Sequence, residues 1–178
     1  MKTLRIALDI GHARGTGARG NGLEEHARCE VLAQLLRPIL ERQGHVVRVF
    51  DFPQLTNRAD INETVRAVNC WGADLGVSLH CDASDNAEAH GAHVCYKSAH
   101  GKVAADAVAH ALCLLLPGRA EHVVKRDDLA MLNATRPAWI LCECGFITNP
   151  GDAFVLQNQL DRVADAIAAG IKNYAAKL

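Results

Sequence analysis

Four side chains in three well-separated stretches carry the chemistry of this sequence. LDIGHARGTGARGNGLEE (Leu8–Glu25) takes the end of an apolar run, Leu4–Ile10, into Gly11-His12, then through a glycine-rich loop to the acid pair Glu24-Glu25 at the start of a helix. That order puts an imidazole at a strand's carboxyl end and a carboxylate at a helix amino end, where open α/β sheets build their sites. SLHCDAS (Ser78–Ser84) ends a second apolar strand in His80, and ILCECGFITNP (Ile140–Pro150) carries Glu143 in a third. Two imidazoles and one first-helix carboxylate, Glu24 or Glu25, suit a catalytic zinc centre, which takes three nitrogen or oxygen ligands and keeps one position open. Each is anchored by regular structure. A further carboxylate beside such a centre can take a proton from water and return it to a leaving amine. Glu143 fits that role, because alone inside AWILCECGF its charge is costly without a cation or a polar cleft.

The elements that must position these groups follow from periodicity. A helix over about Glu25–Gln43 buries Val31, Leu32, Leu35, Leu36, Ile39 and Leu40 in one stripe. Pro38 removes its bond to Gln34, so a kink or early break is expected there. Gly44 stops the helix, and His45–Phe50 is a strand. A helix over about Ala59–Trp71 precedes the strand Ala73–His80, whose apolar content implies burial on both faces. Gly91–Lys97 alternates more, as an antiparallel neighbour of that strand would. A helix over about Gly101–Leu116 ends at Pro117-Gly118. The polar stretch Arg119–Pro137, with a short strand at His122–Val124, is a candidate wall for a substrate groove. Ala138–Glu143 is the last strand, Asn149-Pro150 starts a helix, and Gln159–Ala176 is the cleanest amphipathic helix. Strands alternating with helices give an α/β fold, one domain over 1–178 with a mixed, mostly parallel sheet of about six strands flanked by helices on both faces.

Composition removes several function classes. Nineteen basic and twenty acidic residues leave a net charge of −1, so no electrostatic case exists for nucleic acid or an anionic membrane as partner. No run approaches the ~18 apolar residues of a membrane span. The glycine loop has no Gly-Lys-Ser/Thr ending and no GxGxxG in the right place for a nucleotide. MKTLRIALDI is broken by Arg5 and Asp9 and is expected to be the first core strand, not a signal peptide. Seven cysteines, an odd number scattered through apolar runs, imply reduced buried thiols and a reducing compartment of synthesis. Strand alternation sends Cys142 and Cys144 away from Glu143, and Cys81 away from His80, into the core. The other histidines share no spacing and are expected to be surface or hydrogen-bonded groups.

Taken in order, LDIGH, a first-helix glutamate, NCWGADLGVSLHCDAS and LNATRPAWILCECGFITNP resemble the zinc-dependent N-acetylmuramoyl-L-alanine amidases of the amidase-3 family, including phage and prophage endolysin catalytic domains. The resemblance runs over nearly the whole chain. It implies that His12, Glu25 and His80 bind Zn2+, with Glu24 as the fallback, and that Glu143 is the catalytic glutamate. It implies a peptidoglycan substrate, cut at the amide between N-acetylmuramic acid and L-alanine. Two departures bear on substrate preference: Ala-Arg-Gly follows His12 where many members have a double glycine, and Cys81-Asp82 replaces the usual Ala-Asn. No separate wall-binding domain is expected in this length. The size, the reduced cysteines and the lack of a signal point to an endolysin that accumulates in the cytoplasm and reaches the wall after release; a host recycling enzyme would share these features. The rival readings are a zinc carboxypeptidase or peptidase and a non-catalytic wall-binding module on the same fold.

Overall fold

The computed structural model describes residues 2–178. Its centre is a six-stranded sheet in which β1 (Arg5–Ile10) lies between β4 (Val46–Phe50) and β5 (Leu75–Asp82), followed by β8 (Ala138–Phe146), β6 (His93–Tyr96) and β7 (Val123–Lys125). The first four are mutually parallel; β6 runs antiparallel to β8, and β7 runs parallel to β6. The expected antiparallel strand is therefore present, but it pairs with β8, not β5. β5 is already hydrogen-bonded on both edges, to β1 and β8, and has no edge to offer.

Alternation along the strands divides the sheet into two faces. On one face Leu4, Ile6, Leu8 and Ile10, in and beside β1, join the larger core with Leu75, Val77 and Leu79 of β5 and Ile140, Cys142 and Cys144 of β8. That core is covered by α1 (Glu25–Arg42), α3 (Ala99–Leu115) and α6 (Leu160–Ala175). The opposite face carries Ala7, Cys95, Trp139 and Leu141 under α2 (Asn57–Trp71) and the short α4 (Ala130–Ala134). His80, Glu143 and His93 continue this second face toward the carboxyl ends of the parallel strands. They stand in register across three strands: His80 opposite Glu143, and Glu143 opposite His93.

Several local details differ from the sequence expectation. α1 runs unbroken through Pro38. Gln34 and Pro38 both lie on the exposed side, so the carbonyl that loses its partner faces water and no break is needed. The glycine loop holds a small hairpin of β2 (Arg19–Gly20) and β3 (Leu23–Glu24). Its turn is Asn21-Gly22, both at positive φ (49° and 76°), the pairing that two-residue hairpin turns favour. Asn21 Nδ2 donates to Ile147 O at 3.0 Å and ties the loop to the exit of β8. α4 falls inside the stretch expected to be irregular; five residues give too little periodicity to detect. α5 (Pro150–Asn158) starts as expected, with Asn149 Oδ1 accepting from Gly151 N and Asp152 N.

The packing of α6 and the burial of His45 each have a measurable consequence. Gly170 lets α6 approach α3 closely, since a Cβ there would lie 2.4 Å from Val108 Cα. Gly170→Ala is expected to lose about 1–3 kcal/mol of stability in chemical denaturation, overpacking outweighing the gain in helix propensity. His45 is buried, and its Nδ1 accepts from Leu4 N at 3.2 Å. Burial lowers its pKa below 6.5, so the unfolded chain binds the extra proton more readily and stability falls as pH drops through about 6.5. Denaturation at pH 7.5 and 5.5 should show that loss, and His45→Asn, which keeps an acceptor near the same place, should reduce it.

Candidate active site

Glu25 is the first residue of α1, and its side chain is 2% exposed. The helix amino end favours a carboxylate at this position. Both of its oxygens are engaged. Oε2 accepts from Ala18 N at 2.7 Å and lies 3.2 Å from His12 Nε2; Oε1 accepts from Cys81 N at 3.0 Å and lies 3.0 Å from His80 Nδ1. Glu24 instead accepts from Gly15 N and pairs with Arg19 on the surface. The structure thus brings together His12, Glu25 and His80, with Glu24 turned away.

The two imidazoles are held from different sides. His12 has φ 64°, a left-handed conformation that costs energy outside glycine and is found where surroundings enforce it. Its neighbours supply that enforcement: Gly11 N donates to Leu79 O, Ala13 N to Asn57 Oδ1, and Arg14 N to Pro53 O. His80 stands edge-on to His12, ring centroids 5.0 Å apart. One ligand atom from each of His12, Glu25 and His80 lies within 4.8 Å of the others. Two imidazoles and one carboxylate at this spacing fit a single small cation.

Glu143 sits beside this group on β8, opposite His80. Its Oε2 is buried without a hydrogen-bond partner. Burial raises its pKa to about 7, against the pull of His80 and His12. Burial would also raise the Glu25 pKa, but the bonds to His12 and His80 overcome it and hold that carboxyl well below the usual range. For His80, burial opposes the charge, while Glu25 and Glu143 favour it and bring the pKa to about 9. Just past Glu143 the β5–β8 pairing bulges: Asp82 aligns with Phe146, so β8 carries one extra residue there. Gly145, at φ 97°, takes that bend, and Asp152 Oδ2 secures it by accepting from Phe146 N and Gly91 N.

Residues 6–173 match the Amidase_3 family, described as N-acetylmuramoyl-L-alanine amidase. The chain belongs to this family. It is 25% identical to the probable cell wall amidase LytH of Staphylococcus saprophyticus, over 98% of this chain and 59% of that protein. It is 28% identical to the N-acetylmuramoyl-L-alanine amidase LytC of Bacillus subtilis, over 95% of this chain and 35% of that protein. The chain therefore spans about three fifths of one relative and about a third of the other. Among solved structures, the catalytic domain of CD27L, an endolysin targeting Clostridia difficile, superposes with a TM-score of 0.88 at 27% identity, covering 96% of this chain and 97% of that one.

Around His12, Glu25, His80 and Glu143 lie groups that the sequence did not single out. Asp9 is buried on β1, its Oδ2 accepting from Ser78 Oγ at 2.5 Å, and Ser78 Oγ accepts from Trp139 Nε1 at 2.8 Å. Burial raises the Asp9 pKa to about 6. The signal was available: an acid inside IALDI poses the same problem as Glu143 inside AWILCECGF. A cavity of about 190 Å³ opens between His12, His80, Asp9 and Asp60, walled by Leu129 and Met131. The Arg119–Pro137 stretch thus contributes a wall to the cavity beside the site. His93 departs from the expectation of a surface or hydrogen-bonded group: it is buried, and its Nδ1 has no hydrogen-bond partner. Burial, with Arg119 nearby, lowers its pKa to about 4. Cys81, Cys142 and Cys144 are buried on the far face, as alternation requires.

A Cβ on Gly11 would lie 2.4 to 2.6 Å from three atoms of the His80 ring. Gly11→Ala must displace that imidazole. If His12, Glu25 and His80 hold a Zn2+ ion, this should weaken its binding by about 10- to 100-fold, the usual effect of disturbing a ligand's support, in a chelator competition titration; an unchanged affinity would argue against His80 as a ligand.

Proposed function

We propose that this chain hydrolyses the amide between the lactyl group of N-acetylmuramic acid and L-alanine in peptidoglycan, with Zn2+ held by His12, Glu25 and His80. The observation that carries the reading is the partnerless Oε2 of Glu143 beside the converging His12, Glu25 and His80. Family membership and the likeness to the CD27L catalytic domain support it.

When bound, Zn2+ supplies Lewis-acid polarisation of the scissile carbonyl and acidifies water. Glu143 accepts the proton of the attacking water and delivers it to the nitrogen of the departing L-alanine. Its pKa of about 7 suits both transfers, because a group poised near the working pH gives up and takes a proton with little penalty. Glu25 keeps His80 oriented through Oε1, and the Cys81 and Ala18 amides keep Glu25 itself in place. The cavity beside His12 and His80 is apolar on its Leu129 and Met131 side.

An endolysin role is part of the same proposal, with the protein made in the cytoplasm and acting on the wall after release. Seven unpaired cysteines, six of them buried, support synthesis in a reducing compartment.

Purified wall should lose intact stem peptides to the wild type, exposing L-alanine amino groups. Glu143→Gln is expected to retain Zn2+ and lose turnover by at least about 10²-fold, whereas His80→Ala should lose the metal. A Glu143→Gln enzyme that is metal-loaded and fully active would remove Glu143 from the reaction.

A further inference from the structure

The flank of the site beyond β8 holds a guanidinium whose donors are free. Arg119 follows α3 in a surface pocket that Glu88 and Glu121 also line, and among the described residues the carboxylate within 4 Å of it is Asp82, with Oδ2 at 3.9 Å, beyond hydrogen-bond reach. It is held by stacking: the guanidinium carbon lies 5.3 Å from the ring centroid of Phe146, which is itself buried. Its backbone packs closely as well, since a Cβ on Gly91 would lie 2.8 Å from Arg119 N. The side chain is 35% exposed, so its donors are open to a ligand. The neighbouring Arg126 is already engaged, with two of its donors on Asp128 at 2.7 Å.

Position gives this cation a direction. Glu143 is paired across the sheet with His80 on one side and His93 on the other. Asp82 lies 3.9 Å from both His93 Nδ1 and Arg119 Nη1, and Arg119 stacks on Phe146, three residues past Glu143, so Arg119 stands at the carboxyl end of the strand that carries Glu143. A leaving peptide that crosses this end of β8 after protonation by Glu143 would pass Arg119. Stem peptides carry free carboxylates, first on the second residue, D-glutamate. A stacked guanidinium with open donors is suited to such a group, binding it in bidentate fashion.

We propose that Arg119 is a specificity-determining residue that binds a stem-peptide carboxylate on the leaving-group side of the site. This rests on the amidase reading above.

The test compares muramyl-L-alanyl-D-glutamate with its D-isoglutamine amide, and the corresponding tripeptides ending in lysine or diaminopimelate, in wild type, Arg119→Gln and Arg119→Lys. Wild type is expected to favour the free acid by about tenfold or more in kcat/KM, as a charge-assisted hydrogen bond allows. Arg119→Gln should abolish that preference through KM, with kcat for the amide unchanged, and Arg119→Lys should restore part of it. A preference already present in the dipeptides assigns the D-glutamate carboxylate; one confined to diaminopimelate peptides assigns the more distal carboxylate. No preference in the wild type, or an equal loss on acid and amide in Arg119→Gln, overturns the proposal. If the wild type cuts none of these compounds, calorimetric binding of the same dipeptides decides separately: an Arg119-dependent preference for the acid upholds the carboxylate site while the amidase reading falls, and equal binding overturns both.

Discussion

The structure depends on burying one carboxylate. Glu25 is almost fully excluded from solvent, and an unpaired charge there would cost several kcal/mol. Its four contacts come from the loop amide of Ala18, the strand amide of Cys81 and the two imidazoles. Those contacts bind the end of β1, the glycine loop, the start of α1 and the end of β5 to a single point. The left-handed backbone at His12 and the hairpin at Asn21-Gly22 are what let the chain reach it. The same arrangement that satisfies Glu25 in the absence of a cation gathers the donor set that one would use.

Glu143 has the opposite character. No group among the described residues satisfies its buried Oε2, and burial raises its pKa to near neutrality. One carboxylate is fixed by its neighbours and the other is left reactive, although both lie in the same small region. Environment, not residue type, separates their roles.

Much of this was legible in the sequence. The apolar strands, the long amphipathic helices and a mixed, mostly parallel sheet follow from periodicity, and His12, His80 and Glu143 at strand ends marked the region that the structure brings together. The choice between Glu24 and Glu25 was not available from residue spacing alone, because adjacent residues at a helix start differ only in the direction they face. The partner of β6 was also hidden: a four-residue strand carries no record of which neighbour has a free edge. Asp9, an acid in an apolar run, was legible and passed over, whereas the burial of His93 without a partner depends on neighbours that its spacing does not reveal. Pro38 looked disruptive in one dimension and is harmless on an exposed helix face.

His12, Glu25 and His80 are separated from Glu143 by the long stretch between β5 and β8, which includes β6, α3, β7 and α4. None of the four site residues lies in it. That stretch joins the rest of the sheet only along one edge of β8, so the chain that carries the four residues and the chain that supplies Leu129 and Met131 to the cavity wall beside them are different parts of one sheet, held together by the packing of α3 on α6.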